Sequence, residues 1–225
     1  MIDSDHEKTG EKFHLETYHK ARELCLNVVD RISKNVTLGM NEADGQQLIK
    51  EEFRNAGITK YWHPSKFRIG FDTSKSFREL PTAEICLAEG DLFFVDVGPV
   101  YEDHEADYGE TFLFSSSPKF TPKTDLIELR EASRKIWQEI ASLWKSGQLT
   151  GVELYLRADQ ITQSSGLRLN PLMAGHRLGD FPHSLFSKEK LAAFSKSPSV
   201  NLWVLEIHVV SDQLQCGSFF EDILL

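Results

Sequence analysis

The chain has 225 residues, 40% of them hydrophobic and 26% charged, and its formal net charge is −9. This composition predicts a globular protein with a sizeable core, and the acidic surplus argues against nucleic acid or an anionic membrane as a partner. The three cysteines are scattered without a CxxC pair, which is typical of a reducing compartment. Because the first residues are polar and no apolar run approaches ~20 residues, we expect no signal peptide and no membrane span, and a cytoplasmic location.

Two helices are predicted in the first quarter of the chain. Residues 1–10 are polar and are predicted to form a flexible leader, and residues 11–225 are predicted to form a single domain. Apolar residues recur at helical spacing over residues 11–35 and again over residues 41–56. Gly57 supplies the stop for the second helix. Both helices are interpreted as core packing.

The next segments are predicted to be extended. Residues 61–64 and 67–70 form short extended pieces, and residues 85–87 carry a strand signal. A turn-rich segment separates these pieces.

The stretch from Asp91 to Phe114 organises the rest of the chain. It begins with an apolar run at residues 92–95 and ends at residues 111–114, and each run predicts a strand. The acidic residues between them are interpreted as a solvated turn: Glu102, Asp103 and Glu105.

The second half of the chain predicts two helices followed by two strands. Helical periodicity covers residues 125–144 and 151–162, and both helices are expected to cover the back of a sheet. Residues 202–210 and 219–225 read as strands that carry acidic residues among apolar ones.

Four acidic residues lie in or beside predicted strands, and a histidine lies in a glycine-flanked segment between them. Acids inside strands are unusual because their desolvation is costly. Each acid taken alone is compatible with an outward-facing or turn residue. Four of them with one imidazole indicate a shared divalent cation such as manganese, iron, cobalt or zinc, and bridging carboxylates suit a pair of ions. The residues are Asp96, Asp107, His176, Glu206 and Glu221.

The order and spacing of these residues resemble the pita-bread metallopeptidases, which include methionine aminopeptidase, aminopeptidase P and prolidase. Asp96 matches the D-x-G motif of that family, and Asp107 matches its D-x-x-x-T-F motif. His176 matches its G-H-x-x-G motif, and Glu206 and Glu221 take the last two ligand positions. The resemblance covers roughly residues 10 to 225.

The resemblance implies an α+β pita-bread fold, in which helices cover the outer face of a curved, mainly antiparallel sheet. It implies a metallopeptidase-like catalytic domain that binds two divalent metal ions (Mn, Co, Fe or Zn) through the five ligands. The expected activity is that of an aminopeptidase or Xaa-Pro peptidase, which acts on peptide N-termini or dipeptides through a two-metal-activated water. Glu206 would also carry protons, His183 would contact the substrate, and the chain could form a homodimer.

One position departs from the family pattern. Phe77 stands where the family has a histidine that contacts substrate, so Phe77 is predicted to line the substrate site without offering a hydrogen bond. His63 and His208 are candidate replacements, and His208 is preferred because it shares a strand face with Glu206. This departure leaves open a weakly active or inactive peptidase scaffold that serves as a binding protein. A third alternative is hydrolysis of a small amide such as a creatine-like compound.

Overall fold

In the computed structural model, which describes residues 7–82 and 84–225, four α-helices are present. They are α1 (Leu15–Asn35), α2 (Glu42–Asn55), α3 (Thr124–Gly147) and α4 (Gly151–Ser164). The four predicted helices are therefore confirmed, with ends that shift by a few residues. The starts of α2 and α4 are fixed by capping boxes, in which the N-cap and the residue three positions later exchange hydrogen bonds. No helix within this described part is long and apolar enough to cross a bilayer.

The strands form two antiparallel sheets. The strands are β1 (Lys60–Tyr61), β2 (Lys66–Ile69), β3 (Leu92–Val97), β4 (Pro99–Tyr101), β5 (His104–Glu105), β6 (Tyr108–Leu113), β7 (Arg168–Leu169), β8 (His176–Arg177), β9 (Trp203–Ser211) and β10 (Cys216–Ile223). A three-stranded sheet has the order β1-β4-β5, and a seven-stranded sheet has the order β2-β3-β6-β10-β9-β7, with β8 also paired to β9.

The large sheet has a helix-covered face and an inner face. Phe93 and Val95 of β3 pack in the core formed with α1 and α2, and Leu205 and Ile207 of β9 pack in the core formed with α3 and α4. Because side chains alternate along a strand, the residues between them point to the opposite face. This is the predicted α+β arrangement, and it places Asp96 and Glu206 together on the inner face.

The acidic turn predicted after β3 is present at Glu102 and Asp103, but Glu105 does not belong to it. Residues 99–105 form the β4–β5 hairpin, whose two turn residues, Glu102 and Asp103, have φ values of 47° and 59°. Two consecutive positive φ values match a tight hairpin turn that follows the twist of its strands. Glu102 and Asp103 remain exposed as predicted, but Glu105 is only 1% exposed.

Two smaller expectations also differ from the structure. The predicted strand at residues 85–87 is reduced to a single bridge between Cys86 and Asn41. Of the predicted flexible leader, residues 1–6 lie outside the described residues, whereas Glu7 accepts hydrogen bonds from Ser199 and Trp203. These bonds hold the chain against the domain from residue 7 onward.

Candidate metal centre

Three carboxylates form a row across four neighbouring strands. Asp96 of β3 lies opposite Gly109 of β6, Gly109 lies opposite Glu221 of β10, and Glu221 lies opposite Glu206 of β9. Residues directly opposite each other share a sheet face. Gly109 contributes no side chain to the row, and a Cβ there would lie 2.3 Å from Phe219 Cε1 and 2.9 Å from Glu221 Oε1. The register therefore brings the three acids to one face of the sheet, and the glycine leaves the space that the neighbouring side chains occupy.

Asp107 and His176 complete the group. Asp107 lies two residues before Gly109, and His176 lies opposite Val204, two residues before Glu206, so both reach the same face. His176 Nε2 is 2.9 Å from Asp107 Oδ2 and 3.6 Å from Glu206 Oε1. The structure thus brings together all five residues that the sequence indicated as ligands.

This group fits a divalent cation. Asp107 and Glu221 are each 2% exposed, yet Asp107 Oδ1 and Glu221 Oε1 have no hydrogen-bond partner among the described residues. Buried carboxylate oxygens without partners are costly unless a cation satisfies them. Ligand-type atoms of Asp107, His176 and Glu221 lie within 4.8 Å of one another. Carboxylates with one imidazole are a donor set for manganese, iron, cobalt or zinc.

The proton affinities of the acids reflect the crowding of negative charge. The pKa of Asp96 is raised to about 6, mainly by burial. The positive charge of His63 acts in the opposite direction, and the negative charge of Asp107 adds to the increase. Burial and the charges of Asp107 and Asp96 raise the pKa of Glu221 well above its usual value. Burial acts in the same direction on Asp107, but its contacts with His176 and His63 outweigh burial and lower its pKa to about 2. Bound cations would relieve this repulsion.

The carboxylate group forms the floor of a cavity of about 490 Å³. Its walls include the apolar side chains of Trp62, Phe77 and Met173. This volume lies in the range of ordinary small-molecule sites, about 300–1,000 Å³. The cavity can therefore hold a small ligand directly above the candidate metal centre.

A model of metallopeptidase family M24 matches residues 16–201 of the chain. The chain belongs to this family. No curated protein sequence matches the chain.

Solved structures of peptidases share the fold. An X-Pro aminopeptidase from Thermotoga maritima is 15% identical with a TM-score of 0.75, over 93% of this chain and 57% of that one. A prolidase from Pyrococcus horikoshii is 16% identical with a TM-score of 0.74, over 96% of this chain and 59% of that one. A methionine aminopeptidase from Thermotoga maritima is 17% identical with a TM-score of 0.72, over 96% of this chain and 93% of that one. The M24 chain thus spans less than two thirds of the first two proteins, and the likeness confirms the pita-bread fold.

His183, the predicted substrate contact of this M24 protein, lines the cavity. Its Nδ1 lies 3.1 Å from Glu105 Oε2, and its ring stacks on Trp62 with centroids 3.8 Å apart. The assignment of Glu105 to a solvated loop is therefore wrong, because the β4–β5 hairpin turns this carboxylate inward to hold His183. An acid-rich segment gives no sequence signal that separates Glu105 from its exposed neighbours.

His208 shares the inner face with Glu206, as predicted, but it does not line the cavity. Its ring is fully buried, with Nε2 2.7 Å from the Thr73 carbonyl oxygen and Nδ1 3.0 Å from Asn170 Nδ2. Burial disfavours the cation and lowers the pKa of His208 to about 4. Both nitrogens of a neutral ring are thus engaged, and the preference for His208 over His63 finds no support in the geometry.

Phe77 lines the cavity, where its ring lies 5.8 Å from that of His63. It also packs against a small apolar cluster of the inner face, which contains Phe94, Met173 and Phe219. The residue that departs from the family pattern therefore lies beside the candidate centre, and the histidine next to it is His63.

Proposed function

We propose that the chain is a metal-dependent peptidase that cleaves the N-terminal residue from short peptides, including dipeptides, at a two-metal centre. The ligands would be Asp96, Asp107, His176, Glu206 and Glu221. The observation that carries this proposal is their convergence on the cavity floor, where buried carboxylate oxygens lack partners. The four carboxylates carry four negative charges, which two divalent cations would balance.

Bound divalent ions would act as Lewis acids that activate water for attack on an amide carbonyl. Glu206 would serve as a ligand and proton carrier. Its Oε2 accepts a hydrogen bond of 3.1 Å from the Gly175 N–H, which fixes the carboxylate. Its Oε1 faces His176 at 3.6 Å, on the side of the centre. A fixed carboxylate at this place can take a proton from the nucleophile and deliver it to the leaving amine.

His183 would hold the substrate carbonyl. Glu105 accepts a hydrogen bond from the Nδ1–H of His183, which leaves Nε2 available to the cavity. Stacking on Trp62 keeps the ring in place. Donation to the carbonyl oxygen needs a proton on Nε2 as well, so the doubly protonated ring, paired with the Glu105 carboxylate, would be the form that stabilises the charge developing there.

The test combines metal analysis with peptide hydrolysis. Elemental analysis and calorimetric titration should find about two divalent ions per chain, as in two-metal aminopeptidases. Loaded protein should cleave peptides with a free N-terminus and leave N-acetylated copies intact. If the protein binds neither manganese, cobalt, iron nor zinc at micromolar levels, the proposal is wrong. If it binds ions and peptides but cleaves none, it is a binding protein on the M24 scaffold, an outcome that the apolar side chain of Phe77 favours.

The charges at the mouth of the cavity favour a short substrate with a free C-terminal carboxylate. Although the chain carries a net charge of −9, the lining outside the four carboxylates of the candidate centre includes three exposed basic residues and one further acid, Glu189. The basic residues are Arg78, Lys188 and Lys190. Positive charge at the rim attracts an anionic end group.

Replacing both rim lysines, Lys188→Ala with Lys190→Ala, should raise KM for dipeptides about three- to tenfold. Exposed ion pairs contribute about 0.2–1 kcal/mol each, which sets this modest size. KM for the matching dipeptide amides should change little, because the amides lack the carboxylate charge. The control variant carries Lys119→Ala and Lys123→Ala, two residues that do not line the cavity. Equal increases of KM for acids and amides would contradict recognition of the carboxylate.

A further inference from the structure

His63 is held firmly at the edge of the metal centre. The preceding residue, Trp62, donates its backbone N–H to the Gly98 carbonyl oxygen and its Nε1–H to the Ala106 carbonyl oxygen, both at 2.9 Å. Trp62 also stacks on His183. The His63 side chain is only 9% exposed, so its position is fixed from several sides.

The end of β3 leaves room for the His63 ring. A Cβ on Gly98 would lie 2.1 Å from His63 Cδ2 and 2.4 Å from its Nε2. Real Cβ atoms do not approach other atoms so closely, because packed interiors leave no such overlap. The glycine two residues after Asp96 therefore allows an imidazole to reach the carboxylates.

The ring presents Nε2 to two carboxylate oxygens at once. It lies 3.5 Å from Asp96 Oδ1 and 3.4 Å from Asp107 Oδ1. Both distances exceed the usual N–H···O range of about 2.7–3.2 Å. Two atoms that each lie about 2.1 Å from one tetrahedral ion are about 3.4 Å apart. The His63 nitrogen is thus as far from each oxygen as two ligands of one ion are from each other, and ligand-type atoms of His63, Asp96 and Asp107 all lie within 4.8 Å of one another.

The other ring nitrogen has the partner that metal-binding histidines require. His63 Nδ1 lies 3.0 Å from the Pro64 carbonyl oxygen, and His176 Nδ1 lies 3.0 Å from the Arg177 carbonyl oxygen. A proton on Nδ1 that is donated to a backbone carbonyl leaves the Nε2 lone pair free to bind a metal. The two histidines therefore share one mode of orientation, and each faces a different oxygen of Asp107.

We infer that His63 is a sixth ligand, which joins Asp96 and Asp107 in holding one ion, while His176 binds the other. Each ion would then have one imidazole, and Asp107 would bridge them. His63 adds a donor without adding charge, so the balance of four carboxylates against two divalent ions is kept. Imidazole favours zinc, iron and related ions over manganese, which prefers oxygen ligands. The inference rests on the proposed two-metal centre and predicts its metal preference.

The experiment compares wild type with His63→Ala and His63→Gln by cobalt, zinc and manganese titration. Wild type should bind two cobalt ions with distinct visible spectra. In both variants one cobalt ion should bind at least about tenfold more weakly, since even changes in the outer shell cost about 10- to 100-fold in affinity. The affinity for zinc should fall more than that for manganese. His19→Ala, which alters an exposed histidine of α1, is the control.

Gly98→Ala offers a second variant that keeps the imidazole but fills its space. It should weaken the same ion, and circular dichroism checks that each variant is folded. If folded His63 variants keep two cobalt sites with unchanged affinity and spectra, His63 is not a ligand, whatever happens to kcat. If wild type binds two ions and cleaves no peptide, the proposed function fails while the titrations still decide the role of His63.

Discussion

Asp107→Asn should remove at least one of the two ions and reduce kcat/KM by more than about 100-fold. Asp107 faces His176 with Oδ2 and His63 with Oδ1, so its carboxylate would contribute to both sides of the proposed centre. An amide keeps the shape but loses the charge and one oxygen donor, and metal affinity depends on both. Elemental analysis after gel filtration measures the loss directly.

The fold should survive Asp107→Asn. The variant relieves repulsion on Asp96 and Glu221, which share the site. It also loses contacts with two histidines, and these contacts favour the folded state because they outweigh burial and lower the pKa of Asp107 to about 2. Thermal unfolding in the presence of a chelator should therefore show a modest loss of stability with the fold retained. Asp212→Asn, at an exposed residue paired with Arg168, is the matched control. Unchanged metal content together with a loss of apo-protein stability would make Asp107 a structural residue.

Arg68→Met should lower the free energy of unfolding by about 3–5 kcal/mol, the usual cost of breaking a buried ion pair by removing one partner. Arg68 is 1% exposed and lies 3.1 Å from Glu42 Oε2. It also donates to the carbonyl oxygens of Ser76 and Glu79, on either side of Phe77. Loss of these bonds should loosen the segment that carries Phe77 into the cavity.

Denaturant unfolding measures the effect of Arg68→Met, and the melting temperature should fall by about 6–20 °C for a chain of this size. Adding Glu42→Leu should recover part of the stability, because the second change removes the charge that was left unpaired. Arg68→Lys keeps the positive charge but lacks the planar guanidinium group, so its stability should lie between those of wild type and Arg68→Met. Equal stability of wild type and Arg68→Met would show that the pair contributes nothing to folding.

The helices were predictable because each buries one face, which imposes a helical period on the sequence. β3 and β9 are buried at every position, so they were predictable as apolar runs in which Asp96 and Glu206 stand out. The motifs then identified five ligand candidates, and the structure brings these five residues to one cavity. The acidic turn was predicted, but the short strands β4 and β5 that pair around it were not, since the turn uses Glu102 and Asp103 at positive φ instead of glycine or asparagine.

The choice between the two candidate histidines depends on tertiary contacts. Alternation placed His208 on the correct face, but hydrogen bonds to Thr73 and Asn170 close its ring off from the cavity. His63 reaches the centre because β1 pairs with β4 and because Gly98 leaves space for its ring. These contacts join residues far apart in the chain, so the local sequence around either histidine could not predict them.

The position of β10 couples completion of the centre to assembly of the sheet. This strand lies between β6 and β9, so it joins the strands of the first half of the chain to those of the second. Asp96 and Glu221 are separated by more than half of the sequence, and their approach closes a long loop. On the ribosome the centre stays incomplete until Glu221 emerges. An ion held by residues from both halves of the chain would stabilise the pairing of β10 with β6 and β9. Metal loss should therefore first appear as faster hydrogen exchange of the β10 amides.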